Sequence, residues 1–271
     1  NELPVSRDLI IGIGVIIPGL VDSLNGVIRF SPHMNWHSLS VKNEMEERTG
    51  IRVSVENTTT AVMLAEKWIG AGRNKSNYVY LYIGEGIGAG CIFGGEVYRG
   101  SHFSSVEIGH SIIDPNGPDC GCGMHGCWES LASSSALKRN FLKELSKNER
   151  SKYMEIFGYE EQDKVLALMD EYPEARRKAI DETLVYLNIG LVNVINTFIP
   201  EHVIIDGWPK HLDAETKARI VEQASCNAME GISEVVDVEF SSFVGNGPRY
   251  GAVTVILDSF LRPVFPRIQT I

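Results

Sequence analysis

The run EIGHSIIDPNGPDCGCGMHGCWES, residues 107–130, holds the densest set of metal-ligand side chains in the chain. Cys120, Cys122 and Cys127 form C-x-C-x4-C within it, and His110 lies ten positions before the first cysteine. Thiolate and imidazole are the ligands zinc prefers, and three cysteines with one histidine complete a tetrahedral shell. A closed shell has no open position for a reactive water, so such a metal is structural. Gly121, Gly123 and Gly126 suit the same loop, because ligands this close together force turns that glycine makes cheaply. Structural zinc contributes roughly 10–16 kcal/mol in finger peptides, as much as the net stability of a whole domain. The loop is therefore expected to be rigid with metal and loose without it. His125, inside the cysteine loop, competes with His110 for the fourth position, and spacing leaves that choice open.

A disulfide is the competing reading. Cys120 and Cys122 stand too close to pair comfortably, and a total of five cysteines leaves an odd thiol. Nothing at Asn1 resembles a signal peptide, and a cytoplasmic, reducing location is expected. Zinc is favoured on both grounds.

With 271 residues, 44% hydrophobic and 22% charged, the chain is long enough for two packed lobes. The apolar run DLIIGIGVIIPGLV (8–21) is broken by glycine and proline and is too short to cross a bilayer. A formal charge of −10 repels phosphate backbones, so these residues are not themselves expected to bind nucleic acid. A DNA-reading module outside them is left open.

The order of elements reads as mixed α/β. Residues 9–17 form a continuous apolar run, as in a buried strand. Asp22 to Gly26 reads as a turn and Val27 to Phe30 as a short strand. Ser40 is placed to cap a helix that runs through Arg48 and ends at Gly50. Ile51 to Val55 alternates as a strand, and Thr58 to Ile69 reads as a helix. Tyr78 to Ile83, Ile87 to Phe93 and Glu96 to Arg99 form a strand cluster, with Gly94-Gly95 as a hairpin turn. Asn140 to Pro173 reads as two exposed helices of an inserted or capping segment. Ile180, Leu184, Leu187, Leu191, Val194, Ile195 and Phe198 fall on one helical face, which Pro200 ends. Strands at His202 to Asp206 and Val235 to Phe240 and a helix at Gly251 to Leu261 complete the chain.

These residues resemble the ROK family, which contains sugar kinases and sugar-responsive transcriptional repressors. The shared elements are GIGVIIPG at 12–19, ENT at 56–58, GEGIGAG at 84–90, EIGH at 107–110 and CGCGMHGCWE at 120–129. Their order matches over almost the entire chain, and the cysteine cluster followed by Glu129 is the specific part. The resemblance implies an α/β, actin-like (ribonuclease H-like) two-lobed ATPase fold whose N-terminal strands are missing from these residues. Residues 1–78 with 253–271 would form the smaller lobe, and 79–252 the larger lobe with the zinc loop. It also implies that His110 is the fourth zinc ligand, and that Asn57, Glu107, His110 and Glu129 hydrogen-bond sugar hydroxyls. A site built of carboxylates and amides discriminates strongly against analogues lacking one hydroxyl. Glu129, two residues after Cys127, would be held in place by the metal.

Three features separate the chain from the kinases of that family. The kinase base is the aspartate of E-N-D, and Thr58 stands there. A threonine hydroxyl does not accept a proton near neutral pH, whereas a positioned carboxylate contributes about 10²–10⁴-fold. The phosphate-facing loop, G-T-G in the kinases, is Gly84-Glu85-Gly86. A carboxylate roughly 4 Å from a phosphate costs about 1 kcal/mol per charge pair in water and about 4 in a partly dry site. At the expected adenosine contact a glycine pair gives way to Asp206-Gly207-Trp208-Pro209, so that Trp208 either obstructs a nucleotide or is a packing residue. The expectation is a sugar-binding effector domain of a transcriptional regulator, with structural zinc and no catalytic residues. An ATP-dependent sugar kinase of the glucokinase or N-acetylhexosamine kinase type is the alternative. A helix-turn-helix module before Asn1 would contact DNA, and its two-fold operator would require a homodimer or higher oligomer. His33, Asn35 and Trp36 are expected to border the sugar pocket.

Overall fold

A computed structural model describes residues 6–31, 34–100, 106–159, 164–232 and 234–261. The chain divides into two compact units. Unit 1 comprises Asn1–Asn74, Val97–Val106 and Ser242–Ile271, and unit 2 comprises Lys75–Glu96 and Glu107–Ser241.

In unit 1, β1 (Ile13–Ile17) pairs in parallel with β5 (Val53–Asn57), Ile13 opposite Val53 and Ile17 opposite Asn57. Between them lie an antiparallel sheet of β2 (Leu20–Asp22), β3 (Val27–Ser31) and β4 (Trp36–Leu39), and then α1 (Val41–Thr49). Alternate residues of these strands bury Ile17, Val21, Ile28, Val53 and Val55 in one core. The helix α2 (Thr58–Ile69) follows β5 directly, and α9 (Gly247–Leu261) packs on α2 and β1.

Unit 2 is built on a sheet in the order β10-β9-β6-β7-β8. There β6 (Tyr78–Ile83) is antiparallel to β7 (Ile87–Phe93) and parallel to β9 (His202–Gly207), which is parallel to β10 (Asp237–Phe240). The short β8 (Glu96–Val97) follows Gly94-Gly95, both at positive φ as a tight hairpin requires. After the cysteine loop come α3 (Trp128–Ala132), α4 (Ser134–Glu144), α5 (Lys147–Tyr159), α6 (Val165–Leu168), α7 (Pro173–Phe198) and α8 (Ala214–Asn227). The expected apolar face of α7 buries Ile180, Leu184, Leu187, Leu191, Val194 and Ile195. Its N-terminus carries Pro173 in the first turn, where the missing N–H is no loss.

Several expected limits move, for identifiable reasons. The strand expected at 9–17 begins only at Ile13, because Arg7–Leu9 winds into a 3-10 turn. The strand expected from Ile51 begins at Val53 and runs on through Glu56 and Asn57; the Thr49 hydroxyl takes the Ile51 N–H. Ser40 stands at the N-cap of α1 with no side-chain cap bond. The segment from Asn140 to Pro173 is not an exposed insertion. Phe141, Tyr153, Phe157 and Met169 are buried in it, and Phe141, Tyr153, Phe157 and Tyr172 make edge-on ring contacts. The last helix starts at Gly247, so a lobe boundary at 253 would cut it in two, and the compact units divide at Ser242 instead. Residues 97–106 also return to unit 1, where Arg99 bonds Glu56 and Ser23.

Candidate metal and ligand site

Four of the side chains singled out by spacing converge. The ligand atoms of His110, Cys120, Cys122 and Cys127 all lie within 4.8 Å of one another. Cys120 Sγ is 3.6 Å from His110 Nδ1, and Cys122 Sγ is 3.7 Å from Cys127 Sγ. With zinc–sulfur bonds near 2.3 Å, a tetrahedral shell places its sulfurs about 3.8 Å apart, so the donor set fits such an ion. A disulfide needs sulfurs about 2.05 Å apart, and all five cysteines are free. Burial pushes the Cys120 thiol up to about 12 and raises Cys127 as well, whereas the Met124 N–H lowers exposed Cys122. Buried thiols that resist ionisation become thiolates when a cation takes the proton's place.

The chain doubles back to make this cluster. Ile113 and Asp114 N–H groups donate to the Gly126 carbonyl at 2.9 and 3.2 Å, and Gly126 N–H donates to Pro118 O. Gly126 has φ 66°, and a Cβ there would run into the Asp114 carbonyl oxygen. Gly123 is also at positive φ. Gly121 has neither a positive φ nor a close neighbour, so the loop geometry does not demand glycine there. His125 lies outside the cluster: its Nδ1 is 2.6 Å from Asp119 Oδ1 on an exposed flank. The ambiguity left by spacing falls to His110.

Three sequence elements meet at the backbone of Ile87, the first residue of β7. Its N–H donates to Glu129 Oε2 at 3.0 Å. A Cβ on Gly109, in the EIGH element, would collide with its carbonyl oxygen. A Cβ on Gly86 would stand 2.6 Å from Glu129 Oε2. Glu129 is thus tied to the β6–β7 turn, and its Oε1 lies 3.8 Å from Cys120 Sγ. His110 Nε2 faces Glu107 Oε2 at 3.9 Å. An ion on Nδ1 would leave Nε2 turned toward that carboxylate, the usual orientation of a ligating histidine. Trp128 packs its buried indole on α7, where a Cβ at Gly190 would enter the ring. Sequence reasoning did not find Ile87, since it contributes only backbone atoms; the flanking Gly86 and Gly109 were its trace.

Asn57 lies in unit 1. Its Oδ1 accepts from Thr59 and Thr60 N–H at 2.8 and 3.2 Å, and its Nδ2 donates to Gly19 O at 2.8 Å. As the cap of α2 it keeps one amide hydrogen for a ligand. Thr58 is the first residue of α2. The adjacent carboxylate, Glu56, is 3% exposed; it pairs with Arg99 and accepts the Asn57 N–H. In unit 2, Glu85 Oε1 lies 3.7 Å from Lys138 Nζ, so part of its charge is matched within the fold. Trp208 is 2% exposed, and its indole donates to Ala132 O at 3.1 Å. It is a packing residue, and obstruction of a nucleotide by Trp208 is not supported. Asn35 (φ 50°) and Trp36 are exposed at the start of β4, and His33 lies outside the described residues.

The family model described as ROK family matches residues 1–259. The xylose repressor of Bacillus subtilis is 34% identical over 269 residues, 96% of this chain and 65% of the repressor. The glucokinase of Thermotoga maritima is 36% identical over 250 residues, 91% of this chain and 79% of the glucokinase. Among solved structures, a ROK family transcriptional regulator, a homologue of the E. coli MLC protein, superposes with TM-score 0.75 at 28% identity. The match covers 91% of this chain and 62% of the regulator. The chain thus spans about 65% of the length of the xylose repressor it matches.

Proposed function

Since the chain belongs to the ROK family and shares its actin-like α/β fold, we propose that it is the sugar-sensing part of a transcriptional regulator. Thr58 carries this reading. At the position of the kinase base it offers no carboxylate, and the neighbouring Glu56 is held in an ion pair with Arg99. Loss of a general base removes about 10²–10⁴-fold in rate.

His110 Nδ1 and the thiolates of Cys120, Cys122 and Cys127 would hold one zinc ion. When bound it supplies a cross-link and no catalysis, because the shell is closed. Glu107 and Glu129 then accept hydrogen bonds from sugar hydroxyls, with Glu129 kept in place by Ile87 N–H. A sugar that binds one conformation of the protein better than another shifts their populations. Coupling of about 1–3 kcal/mol is enough to change operator affinity usefully. DNA contact through a helix-turn-helix module outside these residues, a homodimer and a cytoplasmic location belong to the same proposal. The similarity to repressors supports it.

A sugar kinase is the second reading, favoured by a glucokinase as similar to the chain as the repressor. Calorimetry against a panel of aldoses tests the sugar site. One aldose of the panel is expected to bind, and Glu107→Ala to lose it. If no sugar binds, or Glu107→Ala binds as well as the unmodified chain, the pocket assignment fails.

A further inference from the structure

A groove between α4 and α5 lies within unit 2, beside the Lys138–Glu85 ion pair. It is an open groove of about 500 Å³, within the size range of small-molecule sites. Lys138, Arg139, Lys143 and Arg150 line it, with Leu142 and Phe157 as apolar surface. None of its described lining residues is acidic, in a chain of formal charge −10.

The four cations differ in what they already do. Arg150 caps the end of α4, donating to the carbonyls of Leu142 at 2.8 Å and Lys143 at 3.3 Å. Lys138 lies 5.7 Å over the Phe157 ring and 3.7 Å from Glu85. Lys143 is half exposed and reaches Glu182 at 2.9 Å. Arg139 is different. Its Nη2 donates to Ser130 O at 2.7 Å, and among the described residues no carboxylate lies within ion-pair distance of it. Burial lowers its pKa below the usual guanidinium value, with the charge of Glu182 acting the other way. A partly dry guanidinium without a carboxylate partner is a site for an anion, and its planar fork matches phosphate oxygens. Lys143 stands one helical turn further along the same face.

We propose that this groove binds a small phosphate monoester, the phosphoryl group between Arg139 and Lys143 and the carbon skeleton against Leu142 and Phe157. A small ligand is favoured over an acidic peptide because the Lys138 side chain is only 11% exposed, set into the groove rather than on its rim. The Arg139 bond to Ser130 O joins the groove to α3, the helix that carries Glu129.

Calorimetric titration with glycerol 3-phosphate, inorganic phosphate and glycerol tests this. Glycerol 3-phosphate is expected to bind with a Kd of about 1 mM or tighter, inorganic phosphate several-fold more weakly, and glycerol not at all. Arg139→Lys, which keeps the charge and loses the fork, and Lys143→Glu, on an exposed side chain, are each expected to weaken the ester about tenfold. Melting curves confirm that both variants fold. Three results would overturn the proposal: no heat from the ester at about 10 mM, inorganic phosphate binding as tightly as the ester, or affinity that survives Lys143→Glu and falls in Glu107→Ala. The last would place the phosphate at the other site.

Discussion

Glu129 joins the metal loop, the β6–β7 turn and the proposed sugar contact, and two replacements separate those roles. Its Oε2 accepts from Ile87 N–H at 3.0 Å, and Ile87 is 4% exposed. Removing the acceptor leaves that amide unsatisfied in a nearly dry place, which costs about 1–3 kcal/mol. Glu129→Ala takes this loss in full. Glu129→Gln keeps an oxygen in reach of the amide and should lose less than about 1 kcal/mol. For a chain of this size each kcal/mol moves the melting temperature by about 2–4 °C. Scanning calorimetry on zinc-loaded protein should therefore show the alanine variant lower by about 2–12 °C and the glutamine variant within about 4 °C. Both should retain about one metal equivalent, since Glu129 is outside the ligand set. Both should bind sugar about 10–100-fold more weakly, because a charged acceptor is lost. An alanine variant that melts with the unmodified chain would show that Ile87 does not anchor Glu129.

Cys122→Ser removes one of four ligands, so metal content should fall by elemental analysis and added chelator should no longer lower the melting temperature. In the unmodified chain, chelation should lower it by about 8 °C or more if free zinc stands about 1,000-fold above its Kd. Gly190→Ala drives a methyl into the Trp128 indole. It should cost about 1–3 kcal/mol and shift tryptophan fluorescence; unchanged stability would refute that packing. Burial raises the Asp22 carboxyl, but bonds from Asn25 and the Arg29 guanidinium outweigh it and hold the pKa below the usual value. A depressed folded-state pKa stabilises above about pH 4 and loses that effect as pH falls through the folded value. Asp22→Asn should accordingly be less stable than the unmodified chain at pH 7 and equal to it at about pH 2; a difference that persists in acid would contradict this.

Much of the fold was legible because periodicity and glycine chemistry agree locally. Thr58–Ile69 and the pair Tyr78–Ile83 and Ile87–Phe93 stand where the pattern put them. The strands β2 and β4 were missed: β2 is three residues long, and β4 is exposed over Trp36, His37 and Ser38, so neither shows an alternating apolar face. The helices after Asn140 were read as exposed because their charged residues outnumber the buried aromatics, which meet only in three dimensions. The cysteine cluster was legible from spacing; spacing left His110 and His125 open, the resemblance favoured His110, and the structure places His110 beside the three cysteines. Ile87 N–H, a backbone donor, left only Gly86 and Gly109 as its trace, whereas Asn57 before the helix at Thr58 carried a readable N-cap signal that the sugar-contact reading passed over.

Phosphoryl transfer is the most direct test of a sugar site without kinase chemistry. The full-length protein is incubated with ATP, Mg²⁺ and the aldose that calorimetry shows to bind, and ADP release is followed by a coupled assay. Turnover below about 1 s⁻¹ is expected, since kinases run near 1–100 s⁻¹ and loss of the base removes about 10²–10⁴-fold. Sustained sugar-dependent turnover at about 1 s⁻¹ or faster, unaffected by Thr58→Ala, would contradict it.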